Sequence, residues 1–465
     1  MIKSYIITIL VALCACTGLQ AQLFGPQNVV YENMDTILYG VQSGDLDTDG
    51  DPDIIFFTTE NVFWIENIDG NGTFANEHIL DSNGVQTFAQ SLVDLDDDGN
   101  LDILVSYFED DRVVWYKNLG NGTFTGLLLI AGNLNDAGGV VTGDIDDDGD
   151  LDVVLGVSNG NGLYWKEHLD GNGTFGPIQT IDAGISQART QRLGDIDGDG
   201  DLDIVTNGLG TERMSWFENT DGLGNFSVQH GIETSGLYEN FFQIADLDGD
   251  NDLDLVSSKD KSVIWRENTD GLGTFGTPNV LFTDTITPPG IGGFVSIHLV
   301  DLDNDGDIDI TYDSGFEYGK VYHINTDGTG TFAAPEFIDP PVGGTTAYNV
   351  PVDMDSDGDI DLLNNCLFPD TDLRNQYWYE NTTILGTQGF SVNHVKITPN
   401  PAGTLVAVSS DEPIKEVGFY QMFGVLVKTV AKGFHAIDVT NLASGVYLLK
   451  IKTDTGTSVK KMIKK

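Results

Sequence analysis

The stretch Asp45-Leu46-Asp47-Thr48-Asp49-Gly50-Asp51-Pro52-Asp53 places a carboxylate at every odd position of nine residues, and close copies begin at Asp94, Asp144, Asp195, Asp246, Asp301 and Asp353. Successive copies are offset by 49, 50, 51, 51, 55 and 52 residues. A period of this size decides the fold class before any local element is assigned. A unit too small to bury its own apolar face must stack on its neighbours.

Each copy carries a second landmark downstream, a tryptophan three residues before an asparagine: Trp64 and Asn67, Trp115 and Asn118, Trp216 and Asn219, Trp265 and Asn268, Trp378 and Asn381. The third copy has Trp165 with His168, and the sixth has Tyr322 with Asn325. All six tryptophans of the chain thus share one position in the unit, which reads as packing between neighbouring units. A Gly-rich turn follows, Asp69 to Phe74 in the first copy and Asp170 to Phe175 in the third, leading into another apolar strand. Four short strands in about 50 residues, without helical periodicity, is the size of a propeller blade. Seven copies predict a seven-bladed β-propeller. The last copy ends after Asn381 without its fourth strand, whereas Phe24-Gly25-Pro26-Gln27-Asn28-Val29-Val30 parallels Phe175-Gly176-Pro177-Ile178-Gln179-Thr180-Ile181. The N-terminal segment is therefore expected to complete the last blade and close the ring, leaving no open edge around it.

The seven loops hold half of the 72 acidic residues. Carboxylates packed so densely repel one another, and the simplest extracellular neutraliser is calcium, which takes six to eight oxygens. Positions 1, 3 and 5 point side chains at one centre, position 7 offers a main-chain carbonyl and position 9 closes the shell. The candidate metal ligands are Asp45, Asp47, Asp49, Asp51 and Asp53; Asp94, Asp96, Asp98, Asn100 and Asp102; Asp144, Asp146, Asp148, Asp150 and Asp152. They continue with Asp195, Asp197, Asp199, Asp201 and Asp203; Asp246, Asp248, Asp250, Asp252 and Asp254; Asp301, Asp303, Asp305, Asp307 and Asp309; and Asp353, Asp355, Asp357, Asp359 and Asp361. An EF-hand needs a glutamate at position 12, where Phe56 and Val105 stand in the first two loops, so these are strand-loop-strand sites.

This pattern resembles the FG-GAP or VCBS repeats of integrin-alpha-like propellers. The resemblance runs over residues 22–384 and implies structural Ca2+ at up to seven sites, with extracellular-type affinities of roughly 10⁻⁴ to 10⁻³ M. Asn251 departs from the pattern by replacing glycine at position 6 of the fifth loop, and Asn100 by standing at position 7 of the second.

The two ends have other purposes. Residues 1–21 carry Lys3, the apolar run Ile6 to Ala15 and Leu19-Gln20-Ala21, the pattern of a signal peptide. A rival reading makes Cys16 a lipid-modified N-terminus. Cleavage after Ala21 leaves Cys366 as the remaining cysteine of three, so no intramolecular disulfide is expected in an exported chain. After a linker at 385–390, residues 391–465 hold 10 lysines against 5 acids and leave −55 for residues 1–390, which marks a domain boundary. Alternating runs at Val417 to Tyr420, Val425 to Val430 and Val446 to Ile451 predict a small immunoglobulin-like β-sandwich. The tail resembles the type A C-terminal sorting domain of the Bacteroidetes type IX secretion system. The matching residues are Thr398-Pro399-Asn400-Pro401, Phe419 to Val427, Asp438 to Tyr447 and the closing Lys460 to Lys465. That implies export through the periplasm of a Gram-negative bacterium to the surface or medium, with the secretion machinery as a partner.

A net charge of −50 excludes nucleic acid as a partner of the bulk surface, and no transmembrane segment is expected. Gly156-Val157-Ser158-Asn159-Gly160 fits a nucleophile elbow, but lies in a hairpin without the required helix. The seven histidines recur at no position common to the blades and lie near no cysteine, so zinc is unsupported. Blade topology puts the Asp loops and Gly-rich turns on one face. The opposite face carries residues that vary between copies: Arg189, Arg192, Tyr238, Phe241, Phe242, Tyr348 and the Phe368 to Gln376 hairpin with Arg374. Such loops on a rigid ring suit recognition. The expected function is a calcium-stabilised, surface or secreted binding or adhesion module for glycans or extracellular proteins. The alternatives are a polysaccharide lyase or hydrolase on the same ring, or a structural scaffold. An axial pocket with clustered Arg, Lys, Tyr or His favours an enzyme, and similar shallow sites repeated around the ring favour a lectin.

Overall fold

The computed structural model describes residues 23–465 except 35, 83–85, 210–212, 234–238, 260, 286–295, 315–318, 339–344, 369–372, 383–395, 399–401, 411–412, 422–425, 443–444 and 453–456. The signal segment, the linker, Tyr238 and the side chains of Cys366 and Arg374 lie outside the described residues. The chain divides into two compact units, Met1–Thr382 and Thr383–Lys465.

The first strand, β1 (Phe24–Met34), precedes the first blade, which runs β2 (Leu38–Gly44), β3 (Asp53–Thr58), β4 (Val62–Asn67) and β5 (Phe74–Asp81) in antiparallel sequence order. All six residues of β3 are buried, which explains the unbroken apolar run Ile54-Ile55-Phe56-Phe57: a sheet covered on both faces needs no polar alternation. Among the described residues the first unit forms seven four-stranded sheets. The innermost strands touch in a circle, β2 with Thr87–Val93, then Ala137–Gly143, Gln191–Gly194, Glu239–Ala245, Ser296–Val300, Thr345–Val352 and back to β2. The unit is a seven-bladed β-propeller.

Closure follows the sequence expectation. The seventh sheet contains β1, Leu373–Asn381, Asp361–Phe368 and Thr345–Val352, with Phe24 opposite Asn381 and Asn28 opposite Trp378. The Thr382 N–H donates to the Leu23 carbonyl at 2.7 Å, fastening the two ends of the unit together.

Two sets of contacts link each blade to the next. The tryptophans are buried, and each faces the second glycine of the next blade's Gly-rich turn. A Cβ on Gly122 would lie 2.5 Å from Trp64, and one on Gly330 2.2 Å from Trp265, so only glycine admits the indole. In the sixth blade Tyr322 replaces tryptophan and meets Phe24 edge-on at 5.5 Å, so the N-terminal strand supplies the missing contact. Deleting such an indole costs roughly 3–5 kcal/mol.

The asparagine is the second link. Asn118 Nδ2 donates to the Leu46 carbonyl of the preceding blade at 2.8 Å, and Asn219, Asn268, Asn325 and Asn381 bond Ile145, Ile196, Leu247 and Leu302 in the same way. Asn67 reaches Met354 of the seventh blade at 3.0 Å and completes the circle. His168 is the exception. It stacks on Phe175 at 4.5 Å, and its buried Nδ1 has no partner.

The second unit is a β-sandwich. A three-stranded sheet, Lys396–Thr398, Leu405–Ser409 and Ile437–Asp438, and a four-stranded sheet ordered Leu426–Val430, Glu416–Gln421, Gly445–Lys452 and Thr457–Lys464 share one core. Val406, Val408, Val417, Phe419, Leu449, Ile451 and Met462 fill it. Among the described residues no helix is long and apolar enough to cross a membrane.

Candidate metal loops and axial pocket

Every Asp loop is wound around its first carboxylate. Asp45 Oδ1 accepts the Thr48 N–H at 2.7 Å and Oδ2 accepts the Gly50 N–H at 3.0 Å. The bond to position 6 recurs in all other copies. This winding needs left-handed backbone at positions 4 and 6, where φ is +67° at Thr48 and +102° at Gly50. Asn251 tolerates it with φ of +74° and makes the same 3.0 Å bond to Asp246, because a short amide side chain fits this region. The departure at position 6 therefore leaves the fifth loop intact.

The carboxylate at position 3 is built differently. The Oδ1 atoms of Asp96, Asp146, Asp197, Asp248, Asp303 and Asp355 are buried without any hydrogen-bond partner. Asp96 has the Lys117 ammonium on its other oxygen, but in the remaining five the orphaned anionic oxygen is a costly arrangement for a protein without a cation beside it. Burial pushes the carboxyls of Asp47, Asp146, Asp197, Asp248, Asp303 and Asp355 upward, and the neighbouring position-5 carboxylates add to it.

Position 9 has a structural task that sequence reasoning missed. Asp53 is fully buried, with Oδ2 accepting the Leu46 N–H and Oδ1 the Asn67 N–H, each at 2.9 Å. It thereby braces its own loop against the asparagine that links the blades, and the other copies repeat both bonds. Burial raises these carboxyls, to about 6 at Asp102 and about 7 at Asp53, Asp152, Asp203, Asp254, Asp309 and Asp361, against the opposing pull of the two N–H bonds.

These positions converge. Asp45, Asp47 and Asp53 bring oxygens within 4.8 Å of one another, as do Asp94, Asp96 and Asp102; Asp144, Asp146 and Asp148; and Asp195, Asp197 and Asp199. Such groups could hold a metal ion. All the donors are oxygen, the set taken by hard cations rather than by zinc or copper. The side chain at position 7 turns to the blade's own Gly-rich turn: a Cβ on Gly70 would lie 2.4 Å from Asp51 Oδ1.

A further position joins the cluster, the residue between tryptophan and asparagine that directly precedes the asparagine. Glu66 groups with Asp47 and Asp49. Glu167, Glu218 and Glu267 add repulsion at Asp146, Asp197 and Asp248. In the second blade this residue is Lys117, whose ammonium bonds Asp96 and lies 3.1 Å from Asp98 Oδ2. One loop of the seven thus contains its own cation. The position is visible in the sequence, but only the fold brings it against the loop.

On the opposite face the innermost strands begin, and they surround a pocket of about 540 Å3 on the propeller axis. Tyr39, Phe88, Gly139, Phe241 and Tyr348 each fall where the inner strand slips register against its neighbour. A β-bulge re-aims a side chain, and here it repeats around the axis. Tyr348 holds φ of +62°, rare for an aromatic residue, and its hydroxyl donates to the Tyr39 carbonyl at 2.5 Å. Arg189 and Arg192 enter from the fourth blade, and no carboxylate lines the pocket among the described residues. Arg192 Nε donates to Gln243 Oε1 and Nη1 to the Gln191 carbonyl, both at 2.6 Å. Burial lowers its guanidinium to about 10, and burial followed by the charges of Arg192 and Lys320 holds His298 neutral, at about 3. Of the variable-face residues singled out in the sequence, Arg189, Arg192, Phe241 and Tyr348 line this pocket. Phe242 instead packs in the core, beneath the Arg192 guanidinium at 5.8 Å.

The FG-GAP-like repeat family matches residues 45–105, 94–155, 144–206, 195–257 and 246–312, more than half of the chain, and the protein belongs to that family. The secretion system C-terminal sorting domain matches residues 396–465, which marks the chain for type IX export to the cell surface or the medium. No curated protein matches the chain. Among solved structures, an Agrocybe aegerita lectin that recognises non-reducing terminal N-acetylglucosamine is similar over 66% of this chain and 80% of its own, with 22% identity and a TM-score of 0.50, a likeness of fold. A Photorhabdus luminescens Tc holotoxin pore (17% identity, TM-score 0.37, covering 72% of this chain and 17% of its own) and a luciferin-regenerating enzyme (11% identity, TM-score 0.39, covering 65% and 93%) are more distant.

Proposed function

We propose that this exported propeller is a calcium-stabilised binding module that takes a glycan or an extracellular protein at its axial pocket. The observation that carries the reading is the repeated bulging of inner strands, which turns Tyr39, Phe88, Phe241 and Tyr348 toward one open cavity. Aromatic faces beside hydrogen-bonding glutamines are the lining that carbohydrate and peptide sites use. The lectin of similar fold adds support for a glycan.

The Asp loops supply the rigid frame. Calcium held by positions 1, 3 and 5, the position-7 carbonyl and position 9 would neutralise the orphaned position-3 oxygens and fix the loop that braces each blade. In the second loop the ammonium of Lys117 serves instead, so six calcium ions are expected.

The second reading, a polysaccharide lyase, draws on the same Arg and Tyr side chains on the axis. A hydrolase with two carboxylates has no such support, because none line the pocket among the described residues. A glycan array probed with calcium-loaded protein, followed by incubation with each bound polysaccharide, separates the readings. Binding without new chain ends supports a glycan-binding module, unsaturated uronate ends establish the lyase, and no glycan bound rejects the lyase and leaves the module an extracellular protein as its ligand.

A further inference from the structure

The pocket's charge narrows the ligand. In a chain of net charge −50, the axial cavity is lined by two arginines and no acid among the described residues. Among the described residues neither guanidinium is matched to a carboxylate there, and Arg189 Nε is buried without a partner. Arg192 is held in place by Gln243 and the Gln191 carbonyl, bonds that use Nε and Nη1 and leave Nη2 without a protein partner among the described residues. The backbone is shaped to bring these groups in. A Cβ on Gly139 would lie 2.5 Å from the Arg189 carbonyl and 2.1 Å from Gln191 Oε1, so glycine in the third blade lets the arginine-bearing segment of the fourth approach the axis. Around them stand the four bulged aromatic residues, with Phe241 38% exposed.

Fixed guanidinium donors match planar or tetrahedral oxyanions, and exposed aromatic faces match the apolar face of a pyranose ring. From this geometry we propose that the axial pocket binds an anionic saccharide, a sugar carrying a carboxylate or a sulfate ester, with its acid group on Arg189 and Arg192 and its ring against Tyr39, Phe88, Phe241 or Tyr348. This rests on the glycan-binding reading and specifies the class of glycan.

Calorimetric titration of the calcium-loaded mature protein with tetragalacturonate, a carrageenan tetrasaccharide and cellotetraose tests it. The galacturonate or the carrageenan should bind at one site per chain, more weakly as salt rises, and the cellotetraose at least about tenfold more weakly than the better of them. The first two arms distinguish carboxylate from sulfate. Arg192→Gln and, as a variant less committed to packing, Arg189→Gln should each weaken binding about tenfold, with unchanged melting temperature confirming the fold of Arg189→Gln. Equal binding of cellotetraose, or full affinity in both arginine variants, overturns the anionic assignment while leaving the glycan-binding module standing. Failure of all three to bind overturns this inference; the glycan reading itself falls only if the array is also blank.

Discussion

Lys117→Met removes the charge from the second loop, where the ammonium also stands 6.0 Å over the Trp115 ring, and keeps an unbranched side chain of similar length. The ammonium lies 3.1 Å from Asp98 and bonds Asp96, whose side chain is only 2% exposed. At an effective dielectric constant near 20, one such pair attracts by about 5 kcal/mol. Solvent reduces the net value, since Lys117 and Asp98 are 26% and 31% exposed. The larger effect is on Asp96, left as a buried charge without compensation, and this places the net cost at about 3 kcal/mol in chelator. Calcium should then enter the vacated corner. With a dissociation constant of roughly 10⁻⁴ to 10⁻³ M and about 10 mM calcium, it restores about 1.4–2.7 kcal/mol. Calorimetry should count one more calcium in the variant than in the parent, and thermal melts should show a larger calcium-induced rise. Equal stoichiometry in the two proteins refutes the idea that Lys117 replaces a metal.

The inter-blade bonds predict an asymmetry. Asn118→Ala removes donors to Leu46 and Leu101 and the acceptor of the Gly120 N–H, and should destabilise by about 2–4 kcal/mol, whereas His168→Asn should stabilise or be neutral by restoring the absent link; chemical denaturation measures both. Gly122→Val should destabilise the calcium-loaded propeller by more than about 2 kcal/mol, read in the same denaturation experiment, because φ there is +65° and the new side chain would collide with Trp64. Metal-free protein prepared by dialysis should lose stability as pH rises. Burial pushes the position-9 carboxyls up to about 7 in the folded state, or about 6 at Asp102, against about 4 when unfolded, so between those values the native state holds protons that the unfolded chain releases, and their contribution falls as pH climbs through the folded value. A melting temperature that increases from pH 5 to pH 7.5 without metal contradicts this.

The ring was legible because its signals are local and repeated: the Asp loop, the Trp and the Gly-rich turn each recur at fixed offsets, and Phe24 to Val30 matches the strand that the seventh copy lacks. The partner of each asparagine was not legible. It is a backbone carbonyl in the preceding blade, such as Leu46 for Asn118, and a carbonyl leaves no mark on residue identity. Position 9 was read as a metal ligand alone, since its bonds to backbone N–H groups are equally silent in sequence. The pocket was half legible. Topology placed Arg189, Arg192, Phe241 and Tyr348 on the variable face, but the bulges at Tyr39 and Phe88 depend on strand register, which short inner strands do not announce.

Calcium titration of metal-stripped protein, with stoichiometry and melting temperature followed together, bears most directly on the proposal that divalent ions stabilise the Asp loops. Six ions bound per chain, with a melting temperature that climbs as they bind and falls again in EGTA, is the expected result. No uptake, and a melting temperature indifferent to EGTA, would contradict it.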